Sequence, residues 1–275
     1  MKKNSILGVL LSAVIMFGMI GCSQTSTSTT SKTTDLESSN SENTSTSSQG
    51  KKYLIACDAK YAPFSFEEDG KYRGIDVELI DAISKIEGFE YELKPMDFNG
   101  IIPALKANQI DGSIAGMNIT EERKQSVDFS DGYIKSGSSI VVNANNTDIN
   151  SLDDLQNKSA AVKKGTTGAK FAEDNEKKYG LKISYFEDSP SMFQAVENGN
   201  CDFLVEDFPV ISYKIKVDIN AKLRIAVDEI EEAPYNGFAV NKGENQELLQ
   251  KFNDGLAKVK ENGEYNKIVE QYISN

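Results

Sequence analysis

Histidine is absent from all 275 residues. That gap excludes His-ligated zinc, Ser-His-Asp triads and Cys-His pairs together. Cysteine is scarce as well: Cys22, Cys57 and Cys201 lie far apart, with no metal-ligand spacing. Cys57 and Cys201 read as ordinary buried thiols, and neither a metal nor a cofactor is expected. Basic residues are outnumbered, with 30 Lys and Arg against 42 Asp and Glu, for a net charge of −12. A nucleic acid partner needs a basic surface to meet its phosphates, so that class is excluded too. A membrane-spanning helix needs about 20 apolar residues. The apolar run over residues 6–20 is shorter and gives way to a polar tract.

Lys2 and Lys3 precede that run and small residues end it, the pattern of a secretory signal. Met19-Ile20-Gly21-Cys22 resembles a bacterial lipobox, with Met19 where leucine is usual. The resemblance implies a lipoprotein signal over residues 1–22, cut before Cys22, whose thiol then carries lipid. A diacylated cysteine holds two chains, enough for stable anchoring to the cell membrane on its extracytoplasmic face. A plain cleaved signal with an incidental Cys22 is the alternative. Residues 23–50 are almost entirely Ser, Thr, Asn and Gln with a few charges. They cannot bury enough apolar surface to offset chain entropy and are expected to form a disordered tether. What remains, residues 51–275, suffices for one large domain or two lobes.

This folded part alternates β-branched runs with amphipathic helical stretches, which predicts α/β architecture. Tyr53-Leu54-Ile55-Ala56-Cys57 reads as a buried strand. Residues 74–87 place Ile75, Leu79, Ala82, Ile83 and Ile86 on one helical face, with Gly88 as a stop. Further strands are expected at 89–93, 111–114, 139–143, 160–163 and 234–240. Helices are expected at 99–108, 151–155, from Gly168 to Tyr179, and from Glu244 onward. Ser189-Pro190 reads as a cap followed by proline at the first helical position. An internal echo suggests two similar halves: Ala104-Leu105-Lys106-Ala107-Asn108-Gln109-Ile110-Asp111 is mirrored by Ala195-Val196-Glu197-Asn198-Gly199-Asn200-Cys201-Asp202.

Several stretches in a fixed order then resemble the polar amino-acid class of solute-binding proteins that serve ABC importers, and most closely its glutamine-binding members. They include Asp58-Ala59-Lys60-Tyr61-Ala62-Pro63-Phe64, Tyr72-Arg73-Gly74-Ile75-Asp76-Val77 and Met96-Asp97-Phe98-Asn99-Gly100-Ile101. Gly116-Met117-Asn118-Ile119-Thr120-Glu121-Glu122-Arg123-Lys124, Val127-Asp128-Phe129-Ser130-Asp131-Gly132-Tyr133 and Val162-Lys163-Lys164-Gly165-Thr166-Thr167-Gly168 follow. The resemblance implies a two-lobed type II periplasmic-binding-protein fold with ligand in the cleft. Lobe 1 is expected over residues 51–134 and 235–275 and lobe 2 over 135–234, with crossings near 133–137 and 230–234. The implied partners are a free L-amino acid and the permease subunits of a membrane importer, and the protein is expected to be a monomer.

The resemblance also assigns roles. Arg123 takes the place of the carboxylate-binding arginine, whose planar fork makes paired charge-assisted bonds that lysine cannot copy. A surface arginine paired with Glu121 or Glu122 is the competing reading. Thr166 and Thr167, between a strand and a helix start, would offer an anion site of backbone N–H groups. Asp207 matches the ammonium-binding aspartate, with a helix N-cap as its other reading. The Gly116 carbonyl would accept from the ammonium as well, and Asn118 stands where relatives often carry threonine or serine. Tyr61 and Phe98 would enclose the ligand's aliphatic part. Asp58 and Lys163 hold a side-chain amide in glutamine-binding relatives, which makes glutamine the expected ligand. Glu206 departs from that pattern by replacing a histidine, and a second acid there would suit arginine, lysine or histidine. A dehydratase-like enzyme, with Glu206, Asp58 and Lys163 as acid and base, is the alternative of another class.

Overall fold

A computed structural model of the chain describes residues 51–273. The signal, Cys22 and the tether lie outside the described residues. Strand β1 (Lys52–Asp58) leads into a three-stranded antiparallel flap, β2 (Lys60–Tyr61), β3 (Ser65–Glu68) and β4 (Lys71–Arg73). Helix α1 (Ile75–Glu87), β5 (Glu90–Met96), α2 (Phe98–Lys106), β6 (Gly112–Ser113), the single turn α3 (Glu121–Lys124) and β7 (Val127–Phe129) follow. Helix α1 buries Ile75, Leu79, Ala82 and Ile83, the face the periodicity predicts, and Gly88 ends it in the left-handed conformation. Ile86, assigned to the same face, is instead 36% exposed.

After β8 (Ile134–Lys135), the chain builds a second sheet from β9 (Ser138–Asn143), β10 (Ser159–Lys163), β11 (Lys182–Phe186), β12 (Phe203–Asp207) and β13 (Leu223–Val227). Helices α4 (Thr167–Tyr179), α5 (Ser189–Glu197) and α6 (Phe208–Val217) connect these strands. The chain returns through β14 (Tyr235–Asn236), which pairs antiparallel with β8 as a two-stranded ribbon. Strand β15 (Ala239–Asn241) then rejoins the first sheet, and α7 (Gln246–Glu261) and α8 (Glu264–Tyr272) finish the chain. The expected continuous strand at 234–240 is therefore two short strands. Gly237 separates them where Ile119 and Phe129 leave no room for a Cβ.

The sheets share one plan. The first has the order β5-β1-β6-β15-β7 and the second β11-β10-β12-β9-β13, each with parallel strands first and an antiparallel strand fourth. The sequence echo has a structural counterpart. Asp111 and Asp202 each stand just before the third strand of their sheet and accept a backbone N–H from the second, from Leu54 at 2.8 Å and Ser159 at 2.7 Å. Asn108 and Gly199, matched in the echo, both have positive φ (53° and 74°) in the preceding turn. One supersecondary solution is used twice.

Two local expectations need correction. The cap of α5 is Asp188, whose Oδ1 accepts from Ser191 N at 2.8 Å, and Ser189 is already helical. The strand at 111–114 shortens to Gly112–Ser113, where the Phe238 ring stands within 2.3 Å of any Cβ added at Gly112.

Candidate functional site

The carboxyl ends of β1, β10 and β12 converge, the edge where open α/β sheets carry their ligands. Asp58 closes β1, Lys163 closes β10, and Glu206 and Asp207 close β12. Short connections supply the rest. Tyr61 comes from β2, Phe98 opens α2, Gly116 and Asn118 follow β6, and Arg123 lies in α3. Thr166 caps α4, accepting from Ala169 N at 3.1 Å, and Thr167 begins it. Ten of the eleven expected ligand-binding positions line one small cavity: Tyr61, Phe98, Gly116, Asn118, Arg123, Lys163, Thr166, Thr167, Glu206 and Asp207. Asp58 joins them through a buried ion pair with Lys163. Gly168 and Val205 line the cavity as well, and Val205, which no sequence motif marked, does so only through its place in β12.

Arg123 is buried and forms an ion pair with neither Glu121 nor Glu122, although the Glu122 charge acts on it. Its Nη1 donates to the Asn118 carbonyl at 2.7 Å and its Nη2 to the Gly165 carbonyl at 3.0 Å, across the cleft. Glu121 pairs with Lys124 instead. The Arg123 side chain lies 5.4 Å from the Phe98 ring centre, and burial holds its pKa down against the pull of Asp207. Tyr61 and Phe98 are not stacked on each other. Tyr61 stacks on Phe64, and the Lys163 ammonium lies 4.3 Å from the Tyr61 ring centre and 5.4 Å from that of Phe98. That placement gives the ammonium a favourable quadrupole on both sides.

Asp207 occupies the N-cap position of α6 without making a side-chain cap bond. Its Oδ2 accepts instead from Ser136 Oγ at 2.7 Å. Burial raises its carboxyl to about 6, against hydrogen bonds from Ser136 and Tyr61 and the charges of Arg123 and Lys163. Glu206 is raised to about 7, first by burial and then by Asp207, with Lys163 opposing. Glu206 Oε1 accepts from Asp207 N at 2.9 Å, and the Ser189 hydroxyl lies near enough to help hold the carboxyl down. Yet Glu206 Oε2 and Ser189 Oγ are both buried without a hydrogen bond of normal geometry among the described residues. Ser136 was not foreseen; it sits at the end of the β8 crossing, where nothing in the local sequence distinguishes it from a turn serine.

Asn118, expected at the ligand, has its side chain engaged within the protein. Its amide donates to Ser136 O at 3.1 Å and Asn236 Oδ1 at 2.8 Å, and its Oδ1 accepts from Thr167 Oγ1 at 2.9 Å. The side chain is thus engaged with the β8–β14 crossing and α4. Lys60 pairs with Asp188 at 2.7 Å and Asn99 donates to Glu187 at 3.2 Å, so polar contacts join the two sheets' halves along the rim. The cavity that remains measures about 10 Å³, room for about one water. Beside it opens a cavity of about 640 Å³ whose walls include Glu121, Glu122, Glu173, Asp174 and Glu231 against Arg123 and Lys170.

Two sheets of one strand order, joined by a paired crossing and closed over a charged cleft, define a two-lobed solute-binding protein. The chain belongs to the bacterial extracellular solute-binding proteins, family 3, which it matches over residues 53–275. It is 32% identical over 275 residues to the arginine-binding extracellular protein ArtP of Bacillus subtilis (strain 168), covering all of this chain and 99% of that one. An ancestral arginine-binding protein bound to arginine superposes with a TM-score of 0.77 at 40% identity, covering 82% of this chain and 100% of that one. An ancestral arginine-binding protein bound to glutamine gives 0.76 at 40% identity, covering 82% and 98%.

Proposed function

We propose that this protein captures a free amino acid outside the cytoplasm for delivery to an ABC importer, and that it favours a cationic side chain, arginine first. The observation that carries this reading is the buried Oε2 of Glu206, which makes no hydrogen bond of normal geometry although the Ser189 hydroxyl is near, beside Asp207 and Lys163. A buried carboxylate oxygen without a donor is costly, and a guanidinium fork supplies the missing donor. With every acid ionised, Asp58, Glu206 and Asp207 outnumber Arg123 and Lys163 by one charge. A zwitterionic backbone adds none, so a side-chain cation balances the site. The acidic walls of the neighbouring cavity would attract such a ligand and repel an anionic one. Arginine-binding relatives are consistent with this reading.

Glutamine, the ligand expected from the sequence, remains the second reading. Lys163 favours it, since its ammonium suits an amide oxygen and opposes a cation. A protonated Glu206 would donate to the same oxygen. In either case Arg123 and the Thr167 backbone would hold the α-carboxylate, and Asp207 and the Gly116 carbonyl the α-ammonium. Cys22 would carry the lipid that tethers the mature chain to the membrane. Because the cavity has room for about one water, the lobes must part to admit any amino acid, and the ligand must stabilise the closed form to be retained. Calorimetric titration with arginine, lysine, histidine, glutamine and glutamate tests the reading. Tight one-to-one binding of arginine is expected, with glutamine weaker and glutamate undetectable. Glutamine tighter than arginine at every pH would overturn the cationic preference, and turnover of a ligand would overturn the binding reading altogether.

A further inference from the structure

The stretch Tyr72-Arg73-Gly74-Ile75-Asp76-Val77 contributes an acid that ligand recognition as described above does not use. Asp76 is wholly buried in the first turn of α1. Both of its oxygens are engaged: Gly116 N–H donates to Oδ2 at 2.6 Å, and the Tyr133 hydroxyl donates to Oδ1 at 2.7 Å. No cation pairs with it among the described residues. The positive end of a 13-residue helix gives it partial compensation. Burial nevertheless pushes its carboxyl up to about 7, against those two hydrogen bonds. A buried acid without a counter-cation is an expensive choice for the first turn of a helix, and Asp76 does not cap it, since the N-cap position is Gly74 and no side-chain cap bond is made.

The two partners explain the choice. Gly116 lines the cleft with φ 56°, and an added Cβ would stand 2.6 Å from the Tyr61 ring. Tyr133 immediately precedes β8. Its N–H donates to Asn236 O at 2.9 Å in the returning strand β14, and its carbonyl accepts from Tyr265 Oη at 2.6 Å. One carboxylate therefore joins the cleft floor to the paired crossing. We propose that Asp76 is a positioning residue that fixes the Gly116 N–H to Tyr133, so that the carbonyl one Cα further on, and with it recognition of the ligand's α-ammonium, is tied to the geometry of the crossing. The ammonium role rests on the functional reading above; the tie to the crossing does not.

The test uses Asp76→Asn and Tyr133→Phe in the full chain, singly and together. Affinity is measured for arginine and for its desamino analogue, which keeps the carboxylate and guanidinium. Melting temperature and exchange of the Gly116 amide proton are followed in parallel. Both single variants should narrow the gap in Kd between the two ligands, Asp76→Asn by about tenfold. The double variant should be no worse than Asp76→Asn alone, because the groups act as a unit. Equal weakening of both ligands with a lowered melting temperature would mean a purely structural role and overturn the proposal. Should Asp76→Asn fail to fold, Tyr133→Phe decides on its own. If wild type binds no amino acid, the functional reading fails, and Gly116 amide exchange still decides the tie. Exchange about tenfold faster in Tyr133→Phe supports it, and unchanged exchange overturns it.

Discussion

If Glu206 selects the ligand's side chain, selectivity between arginine and glutamine must change with pH. Glu206 is faced by Asp207 on its own strand, by Lys163 from β10, and beyond these by Asp58, Tyr61 and Arg123 across the cleft. Burial and Asp207 raise its carboxyl from 4.5 to about 7, so below pH 7 the closed site holds it mostly neutral. A cationic side chain needs it ionised, and the apparent Kd is the intrinsic Kd divided by the ionised fraction. That fraction is about one in a hundred at pH 5, about half at pH 7 and nearly complete at pH 8. Arginine binding should therefore tighten by about 100-fold from pH 5 to pH 8, releasing a proton near pH 6. Asp207 also titrates, near pH 6, but on the proposed function it would serve the α-ammonium that both ligands carry. The ratio of the two affinities cancels the direct contact of Asp207 with the α-ammonium and leaves the side-chain selectivity of the coupled pair, from which Glu206→Gln removes the Glu206 share. Calorimetry of both ligands at pH 5, 6, 7 and 8 reads that ratio directly. In Glu206→Gln the ratio should be flat and shifted toward glutamine. A flat ratio in wild type, or an unchanged slope in Glu206→Gln, would refute the assignment.

Arg123→Ala should weaken every amino acid by about 100-fold or more, because it leaves a ligand carboxylate buried and unpaired. Arg123→Lys should recover only part of that, since one ammonium cannot reproduce the fork that reaches both the Asn118 and Gly165 carbonyls. Titration of both variants at pH 8 checks this pair. Lys60→Ala should raise the ligand off-rate by no more than about threefold. The ion pair with Asp188 bridges the rim, but the lysine is exposed and solvent screens it. Stopped-flow dissociation in low and high salt should show the difference vanishing in high salt.

Local chemistry made much of the framework readable, and tertiary choices hid the rest. Gly88 announced the end of α1 because a left-handed residue stops a helix whatever packs around it. The repeated aspartate before a strand betrayed the duplicated plan because Asp111 and Asp202 do the same backbone work in each sheet. Eleven candidate ligand positions could be named because motifs mark them, and the structure gathers all eleven at one cleft. How those residues are spent was not legible. Asn118 is engaged by Asn236, 118 residues later, and Asp207 by Ser136, 71 residues earlier. No local pattern foretells either pairing. The cap of α5 was misplaced by one residue because Asp188 and Ser189 are both good caps, and only the bond to Ser191 N shows which one is used.

The same burial that makes the cleft selective also makes its closure conditional. Asp76, Glu206 and Asp207 are all raised above their ordinary values by burial. Each therefore favours the fold fully below its unfolded pKa, near 4, and that contribution is lost as pH rises through the folded values of about 6 to 7. For Glu206 alone the move from 4.5 to about 7 corresponds to about 3 kcal/mol. Asp207 beside it makes the two costs inseparable rather than additive. Asp76 carries its cost permanently, because both of its oxygens serve the frame. Glu206 and Asp207 differ in that, on the proposed function, a ligand would relieve them: a side-chain cation at Glu206 and an α-ammonium at Asp207 would return the charges that burial removed from water. At neutral pH, closing on a neutral side chain relieves one acid, and closing on a cation relieves both. On the proposed function, the preference among ligands would come from the energy of lobe closure itself, with Arg123 holding the carboxylate common to all of them.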